Sequence, residues 1–237
     1  MYQVYTKTLK KIFAFLGIIF LLGQSIAEGQ EALQKPASFE EGKQYRKIEL
    51  KILENINIQQ LIAKDPKKLQ VIEFFNYGCF WCSHLHPVIN SWVKKKPENV
   101  VFYRFPLVFN KHWETLAKAY YVTKELNANE KLDDAFFTAI HQNHVDLSDI
   151  KILQNFFVEH EVSAKKFSDL YNSFTVNTEL TKAKELANAY QISVSPVIIL
   201  NGPKGSYILS AAMAGSEQGL IEVLNYLISI ETKKLNG

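Results

Sequence analysis

The chain has 237 residues, 47% of them hydrophobic, with 27 basic and 24 acidic side chains. This is the composition of an ordinary globular protein, whose core is large enough that its stability does not depend on disulfides. The excess of three positive charges belongs to lysines that lie before residue 12. The rest of the chain therefore has no net charge, which argues against a nucleic acid partner.

The N-terminal residues have the pattern of an export signal. Three lysines precede the apolar run Ile12–Leu22, and small residues follow at Ser25 and Ala27. This order predicts a secretory signal peptide, residues 1–27, that is cleaved after Ala27. The run is short for a membrane span, which needs about 20 apolar residues. An uncleaved N-terminal anchor remains the alternative, and no later segment is long and apolar enough to span a bilayer.

The first folded elements form a β-α-β pattern. The segment Tyr45–Ile52 alternates weakly and predicts an edge strand. Leu69–Tyr77 is a compact run of β-branched and aromatic residues, typical of a buried strand. A helix is expected from about Cys79, with Pro87 interrupting or kinking it. Because Val100–Leu107 predicts a second strand, the unit implies parallel pairing of the two strands.

A helical block follows, from His112 to Tyr190, because apolar residues recur throughout it at helical spacing. Ser148 is predicted to cap one helix of the block, and Ser163 another that extends to Phe174. Three more elements complete the chain, namely strands at Val197–Leu200 and Tyr207–Ser210 and an amphipathic helix from about Glu217. The predicted order is β-α-β, a helical block, and then β-β-α.

Only two cysteines, Cys79 and Cys82, are present. A haem attachment is excluded because residue 83 is Ser rather than His. A structural bridge over so short a loop would add little stability. A zinc site remains an alternative, since it needs three or four ligands. Its ligands would be Cys79, Cys82 and His86, with His84 or His112 as a fourth.

The position of the pair favours redox chemistry. It follows a predicted buried strand and opens a helix, where free backbone N–H groups and the positive end of the helix dipole stabilise a thiolate. Cys79 lies nearer the helix start and is expected to be the more exposed thiol and the nucleophile. Cys82 lies one turn further on and is expected to be the resolving thiol. A Cys-x-x-Cys pair inside a β-α-β pattern is typical of thiol–disulfide exchange.

The chain also resembles a known family, the DsbA-type thiol:disulfide oxidoreductases of the bacterial periplasm. The matching stretches are "FEEGKQY" (Phe39–Tyr45), "IEFFNYGCFWC" (Ile72–Cys82), "YNSFTVN" (Tyr171–Asn177) and "VSPVIILNG" (Val194–Gly202). The resemblance implies an α/β protein with a thioredoxin fold and an inserted all-helical domain, located in the periplasm. The implied divisions are a signal peptide (1–27), an N-terminal segment (28–44), the first half of the thioredoxin fold (45–111), the helical insertion (112–184) and the second half (185–237).

The resemblance also assigns roles to residues. It implies that the cysteine pair is the redox-active disulfide, with no bound cofactor or metal, and that Pro196 is a cis-proline facing it. Ser195, where oxidases of the family more often have Val, would contact the backbone of the substrate. Glu73 matches a buried acid that tunes the thiols and helps to move protons. Arg104, on the neighbouring strand, is a possible partner for Glu73.

One departure concerns the residues between the cysteines. The best-known oxidases of the family carry Pro-His there, whereas this chain has Phe80 and Trp81, which carry no charge and are expected to contact substrate. The direction of exchange is therefore open. The expected activity is the introduction of disulfides into unfolded exported proteins, with a DsbB-type membrane reoxidase as partner. The alternatives are an isomerase or reductase of the same fold, or a non-enzymatic metal-binding surface protein.

Overall fold

A computed structural model describes residues 38–48, 68–203 and 205–235. The predicted signal peptide and most of the segment 28–44 lie outside these ranges. The strands are β1 (Arg46–Ile48), β2 (Leu69–Phe75), β3 (Val100–Pro106), β4 (Val197–Gly202) and β5 (Gly205–Leu209). The helices are α1 (Phe80–Lys95), α2 (Lys111–Glu125), α3 (Asn129–His141), α4 (Ile150–Glu159), α5 (Ala164–Tyr171), α6 (Phe174–Ala189), α7 (Ala211–Ala214) and α8 (Glu217–Leu235).

The strands form one mixed sheet in the order β1-β5-β4-β2-β3. β2 pairs in parallel with β3 and antiparallel with β4, and the remaining pairs are antiparallel. Every residue of β2 is buried, because the strand is covered on both faces, and its sequence is therefore nearly continuously apolar. The parallel pair and the edge position of β1 confirm the predictions. Residues 49–52 of the predicted edge strand lie outside the described residues.

The helix after β2 runs without a break from Phe80 to Lys95 and contains Pro87. The expectation that Pro87 interrupts this helix is therefore wrong. A proline in a helix removes one backbone hydrogen bond and crowds the preceding turn. Here Pro87 lies on the exposed side, while the opposite side, which includes Leu85 and Ile89, is fully buried against the sheet. Burial of that side outweighs the local penalty.

Helices α2 to α6 form the inserted block between β3 and β4. Ser163 caps α5 as predicted, by accepting a hydrogen bond from the Lys166 backbone. The predicted cap at Ser148 is wrong, because Asp149 occupies the cap position of α4. Phe174 also does not extend the helix that Ser163 caps. It begins α6 instead, and the hydroxyl of Ser173 caps that helix.

The core lies on both faces of the sheet. On one face, Ile72 and Phe74 pack into a cluster that continues through the inserted helices and includes both cysteines. On the other face, α1 and α8 pack together through residues such as Ile89 and Leu224. The inserted block thus shares a continuous core with the sheet, and α6 runs across the predicted boundary between residues 184 and 185. Within the described ranges, no helix is long and apolar enough to cross a bilayer.

Candidate active site

The two cysteines lie where β2 ends and α1 begins. Cys79 is the N-cap residue of α1, with an extended backbone, and Cys82 lies in the first turn. The Cys82 backbone N–H donates to the Sγ atom of Cys79 at 3.2 Å. Both cysteines are free thiols in this structure. The predicted position of the pair at a helix start is confirmed. The sulfur of Cys79 is the hydrogen-bond acceptor that caps the helix, a position where negative charge is stabilised.

The two thiols differ in acidity. The pKa of Cys79 is lowered to about 7, first by a hydrogen bond from the Cys82 thiol and then by Ser195 and the backbone N–H groups of Cys82 and Trp81, against the opposing effect of burial. Burial raises the pKa of Cys82 above its ordinary value. The thiolate at neutral pH is therefore that of Cys79, and this thiolate is the attacking form of the sulfur.

The exposure of the thiols differs less than expected. Cys79 is 6% exposed and Cys82 is fully buried. Cys79 is therefore the more exposed of the two thiols, as expected, but both thiols are buried. Cys79 belongs to the same hydrophobic cluster as Ile72 and Phe74, which accounts for its low exposure.

The second part of the site comes from the loop before β4. The Ser195–Pro196 peptide bond is cis, as expected. The Oγ atom of Ser195 lies 3.0 Å from the Sγ atom of Cys82, although 113 residues separate them in the chain. The sequence suggested a contact between the Ser195 backbone and substrate, and that role stays a prediction. What the sequence reasoning missed is the hydroxyl group, which also lowers the pKa of Cys79.

Phe80 and Trp81 form an exposed surface beside the sulfurs, with 53% and 62% of their area accessible. Their rings contact each other edge to face at a centroid distance of 5.3 Å. Two imidazoles flank them, since the His84 ring lies 4.6 Å and the His141 ring 6.1 Å from that of Phe80. Neither imidazole stood out in the sequence as a neighbour of the dipeptide.

Beneath the site, Glu73 is 1% exposed and pairs with Arg104, whose Nε atom donates to Glu73 Oε2 at 2.6 Å. The predicted pairing of these two residues is confirmed. The same guanidinium donates to Asp133 of α3 at 3.0 Å and to Asn90 of α1 at 3.1 Å. Burial raises the pKa of Asp133, while Arg104 opposes that rise. The effect of Glu73 on the thiols stays a prediction.

The residues considered for a zinc site have other partners. The Nε2 atom of His86 lies 2.9 Å from Asp134 Oδ1 and 3.1 Å from Asn90 Nδ2. The Nδ1 atom of His112 lies 3.2 Å from Ser148 Oγ. Among the residues that the structure describes, no group of three or more His, Cys, Asp or Glu side chains is placed to hold a metal ion.

A thioredoxin fold with a helical insertion, and an acidic thiol in a Cys-x-x-Cys pair opposite a cis-proline, define a thiol–disulfide oxidoreductase. Comparison with known proteins gives the family. The DSBA-like thioredoxin domain profile matches residues 99–218. The chain is 33% identical to the thiol:disulfide interchange protein DsbA of Azotobacter vinelandii over 91% of this chain and 96% of that protein, and 32% identical to that of Burkholderia cepacia over 91% and 96%. The chain belongs to this DsbA family and is a protein disulfide oxidoreductase.

Solved structures agree with this assignment. The crystal structure of Pseudomonas aeruginosa DsbA superposes with a TM-score of 0.72, at 28% identity, over 84% of this chain and 97% of that one. DsbA of Xylella fastidiosa has the same fold, with a TM-score of 0.69 at 23% identity over 81% and 97%. The predicted fold class, a thioredoxin fold with an inserted helical domain, is confirmed, and so is the prediction of an enzyme. The non-enzymatic alternative is therefore set aside.

Proposed function

We propose that this enzyme is an oxidase that introduces disulfides into exported proteins, with Cys79 as nucleophile and Cys82 as resolving thiol. The observation that carries the roles of the two sulfurs is their difference in acidity, because Cys79 has a pKa of about 7 and that of Cys82 is raised. An oxidase is strongest when its reduced form is stabilised, and a thiolate held at a helix start stabilises that form.

The reaction starts from the oxidised pair. A substrate thiolate attacks the Sγ atom of Cys79, the Cys79–Cys82 bond breaks, and Cys82 leaves with the electron pair and takes up a proton. A second thiolate of the substrate then attacks the substrate sulfur of the mixed disulfide, and Cys79 leaves as a thiolate. The substrate loses two electrons and gains a disulfide, and the enzyme becomes the dithiol. The low pKa of Cys79 favours this last step, because a more acidic thiol is the better leaving group.

Two features support unfolded proteins as substrates. Phe80 and Trp81 present apolar area beside the reactive sulfur, and such exposed area is typical of a contact surface. The cis-proline loop holds Ser195 next to the sulfur of Cys82, just before strand β4 begins, where an extended substrate segment can pair with the backbone. We assign both surfaces to substrate binding.

Export and reoxidation complete the proposal. The lysines and the apolar run of residues 1–27 support export to the periplasm through a cleaved signal peptide, although these residues lie outside the described part of the chain. Each turnover leaves the enzyme reduced, so an oxidant is required. A quinone-linked membrane reoxidase of the DsbB type is the proposed partner, and no bound cofactor is needed besides the disulfide itself.

The test is the redox potential, measured by equilibration with glutathione buffers and followed by Trp81 fluorescence. We expect a potential above that of thioredoxin, about −270 mV, yet below that of family members with Pro-His between the cysteines. The potential should lie below that of the Pro-His members because Phe80 and Trp81 offer no charge-assisted hydrogen bond to the thiolate.

A potential at or below that of thioredoxin would overturn the oxidase assignment in favour of a reductase. Refolding of a substrate with scrambled disulfides separates an oxidase from an isomerase, because only the isomerase reshuffles wrong bonds efficiently. Mass mapping after brief alkylation tests the roles of the two sulfurs. Cys79 should be labelled first, and labelling of Cys82 first would reverse the assignment.

A further inference from the structure

The loop that leads into Cys79 is held by hydrogen bonds and ring contacts with two other parts of the chain. On one side, Asn76 donates its amide to the carbonyl oxygens of Leu107 and Trp113, at 2.8 and 3.1 Å. The Asn76 carbonyl in turn accepts the backbone N–H of Cys79 at 3.0 Å. This side of the loop is thus fixed to the residue that follows β3 and to the first turn of α2.

On the other side, the loop is fixed to helix α3 of the inserted block through Tyr77. The Tyr77 hydroxyl donates to Asp133, and its ring stacks on Phe136 with a centroid distance of 4.4 Å and an interplanar angle of 7°. Its carbonyl oxygen accepts a hydrogen bond from His141 Nε2 at 2.7 Å. One helix therefore contacts the ring, the hydroxyl and the backbone of a residue that is two positions from Cys79.

His141 also reaches the other flank of the nucleophile, because its ring lies 6.1 Å from that of Phe80. The side chain at the end of α3 thus contacts the residues on both sides of the Gly78–Cys79 dipeptide. Gly78 is packed closely, since a Cβ atom there would lie 3.1 Å from Leu116, and its backbone N–H donates to Asn76 Oδ1 at 2.9 Å. Because Asn76 accepts the backbone N–H groups of both Gly78 and Cys79, the segment that includes Tyr77 moves as a unit, and a displacement at Tyr77 is passed on to Cys79.

We propose that helix α3 of the inserted block fixes the geometry of the reactive thiol, with His141 as a positioning residue for Cys79. The inference rests on the proposed role of Cys79 as nucleophile. The Cys79 sulfur is stabilised by N–H groups of the first turn of α1, and such bonds weaken steeply when their geometry is lost. By holding Tyr77 and Phe80, His141 keeps the sulfur aligned with those donors.

The test compares His141→Leu, which removes the hydrogen bond to Tyr77, with His141→Gln, whose amide can still donate to that carbonyl. His160→Leu is a matched control. His160 is also partly exposed, and its Nδ1 atom bonds the Phe156 carbonyl at 2.7 Å within the inserted block, in a contact confined to helix α4 and its C-cap. The Cys79 pKa is measured from the ultraviolet absorbance of the thiolate across pH, together with the midpoint of unfolding and the rate of alkylation.

We expect His141→Leu to raise the Cys79 pKa by about one unit, with about tenfold slower alkylation below that pKa. His141→Gln should keep the wild-type pKa. His160→Leu should lower the unfolding midpoint without moving the pKa.

Three results would overturn the inference. An unchanged pKa in His141→Leu would reduce His141 to a structural role, and an equal shift in His160→Leu would make the effect one of general stability. A pKa in His141→Gln as high as in His141→Leu would mean that the imidazole ring acts on the thiolate directly. Failure of the proposed role of Cys79 as nucleophile would be seen separately, because brief alkylation of the wild type would then label Cys82 first.

Discussion

The hydroxyl group of Ser195 offers a direct test of how the thiol pair is tuned. Ser195→Val removes the hydroxyl, whereas Ser195→Thr keeps it on a side chain of nearly the same shape as Val, so that the two variants differ chiefly in one hydrogen bond. In the wild type this hydroxyl lies 3.0 Å from Cys82 Sγ and lowers the pKa of Cys79. Its removal should therefore raise the Cys79 pKa and make the enzyme less oxidising.

The magnitude follows from the strength of the bond. A hydrogen bond to a charged group contributes roughly 1.5–3 kcal/mol, and sulfur is a weak acceptor, so the lower end applies. About 1.4 kcal/mol corresponds to one pKa unit, which moves Cys79 from about 7 in the wild type to roughly 8 in Ser195→Val.

The effect on the redox potential depends on pH, because the thiolate stabilises the reduced form only where it is ionised. Around pH 7 the reduced form of Ser195→Val loses about 0.4 kcal/mol of stabilisation relative to the wild type, which lowers the redox potential by about 8 mV. Around pH 9 it is about 1.3 kcal/mol, or about 28 mV. The lowered pKa thus contributes to the oxidising power above the folded pKa, and the contribution is lost as the pH falls through about 7.

The assay is equilibration of both variants with glutathione buffers at several pH values, beside a thiolate titration. Ser195→Thr should follow the wild type, and Ser195→Val should diverge from it as the pH rises. Equal pKa values in the two variants would refute the role of the hydroxyl. If the two variants differ in potential by the same amount at every pH, the Ser195 hydroxyl acts on the disulfide form and not on the thiolate.

Three further outcomes are expected. Cys82→Ser should accumulate mixed disulfides with exported proteins on non-reducing gels, because the resolving thiol is gone, and their absence would argue against Cys79 as the attacked sulfur. Replacement of Phe80 and Trp81 by Pro-His should raise the redox potential by some tens of millivolts in glutathione buffers, and no change would exclude the dipeptide as its control. Arg104→Met should lower the free energy of unfolding in urea by about 3–5 kcal/mol, since it leaves buried carboxylates unpaired, with Arg104→Lys intermediate. A loss below about 1 kcal/mol for the Met variant would contradict that reasoning.

The order of elements and the reactive pair could be predicted from the sequence because both depend on local patterns. A buried strand reads as a continuous apolar run, as in Leu69–Phe75, and two cysteines three positions apart at a helix start have a recognisable chemistry. The predictions that failed also depended on local rules. Ser148 was expected to cap α4, yet its neighbour Asp149 accepts from two backbone N–H groups there. Pro87 is tolerated because burial of the opposite face outweighs its local effect.

The contacts that adjust the thiols are of a different kind, because they join residues far apart in the chain. Tyr77 and Asp133 are separated by 56 positions, Tyr77 and His141 by 64, and no periodicity links such residues. The sequence therefore identifies the reaction of Cys79, whereas the pKa of Cys79 depends on where the loop before β4 and helix α3 hold single side chains. A substitution at a single residue such as Ser195 or His141 is accordingly expected to change the oxidising power while the reaction itself stays the same.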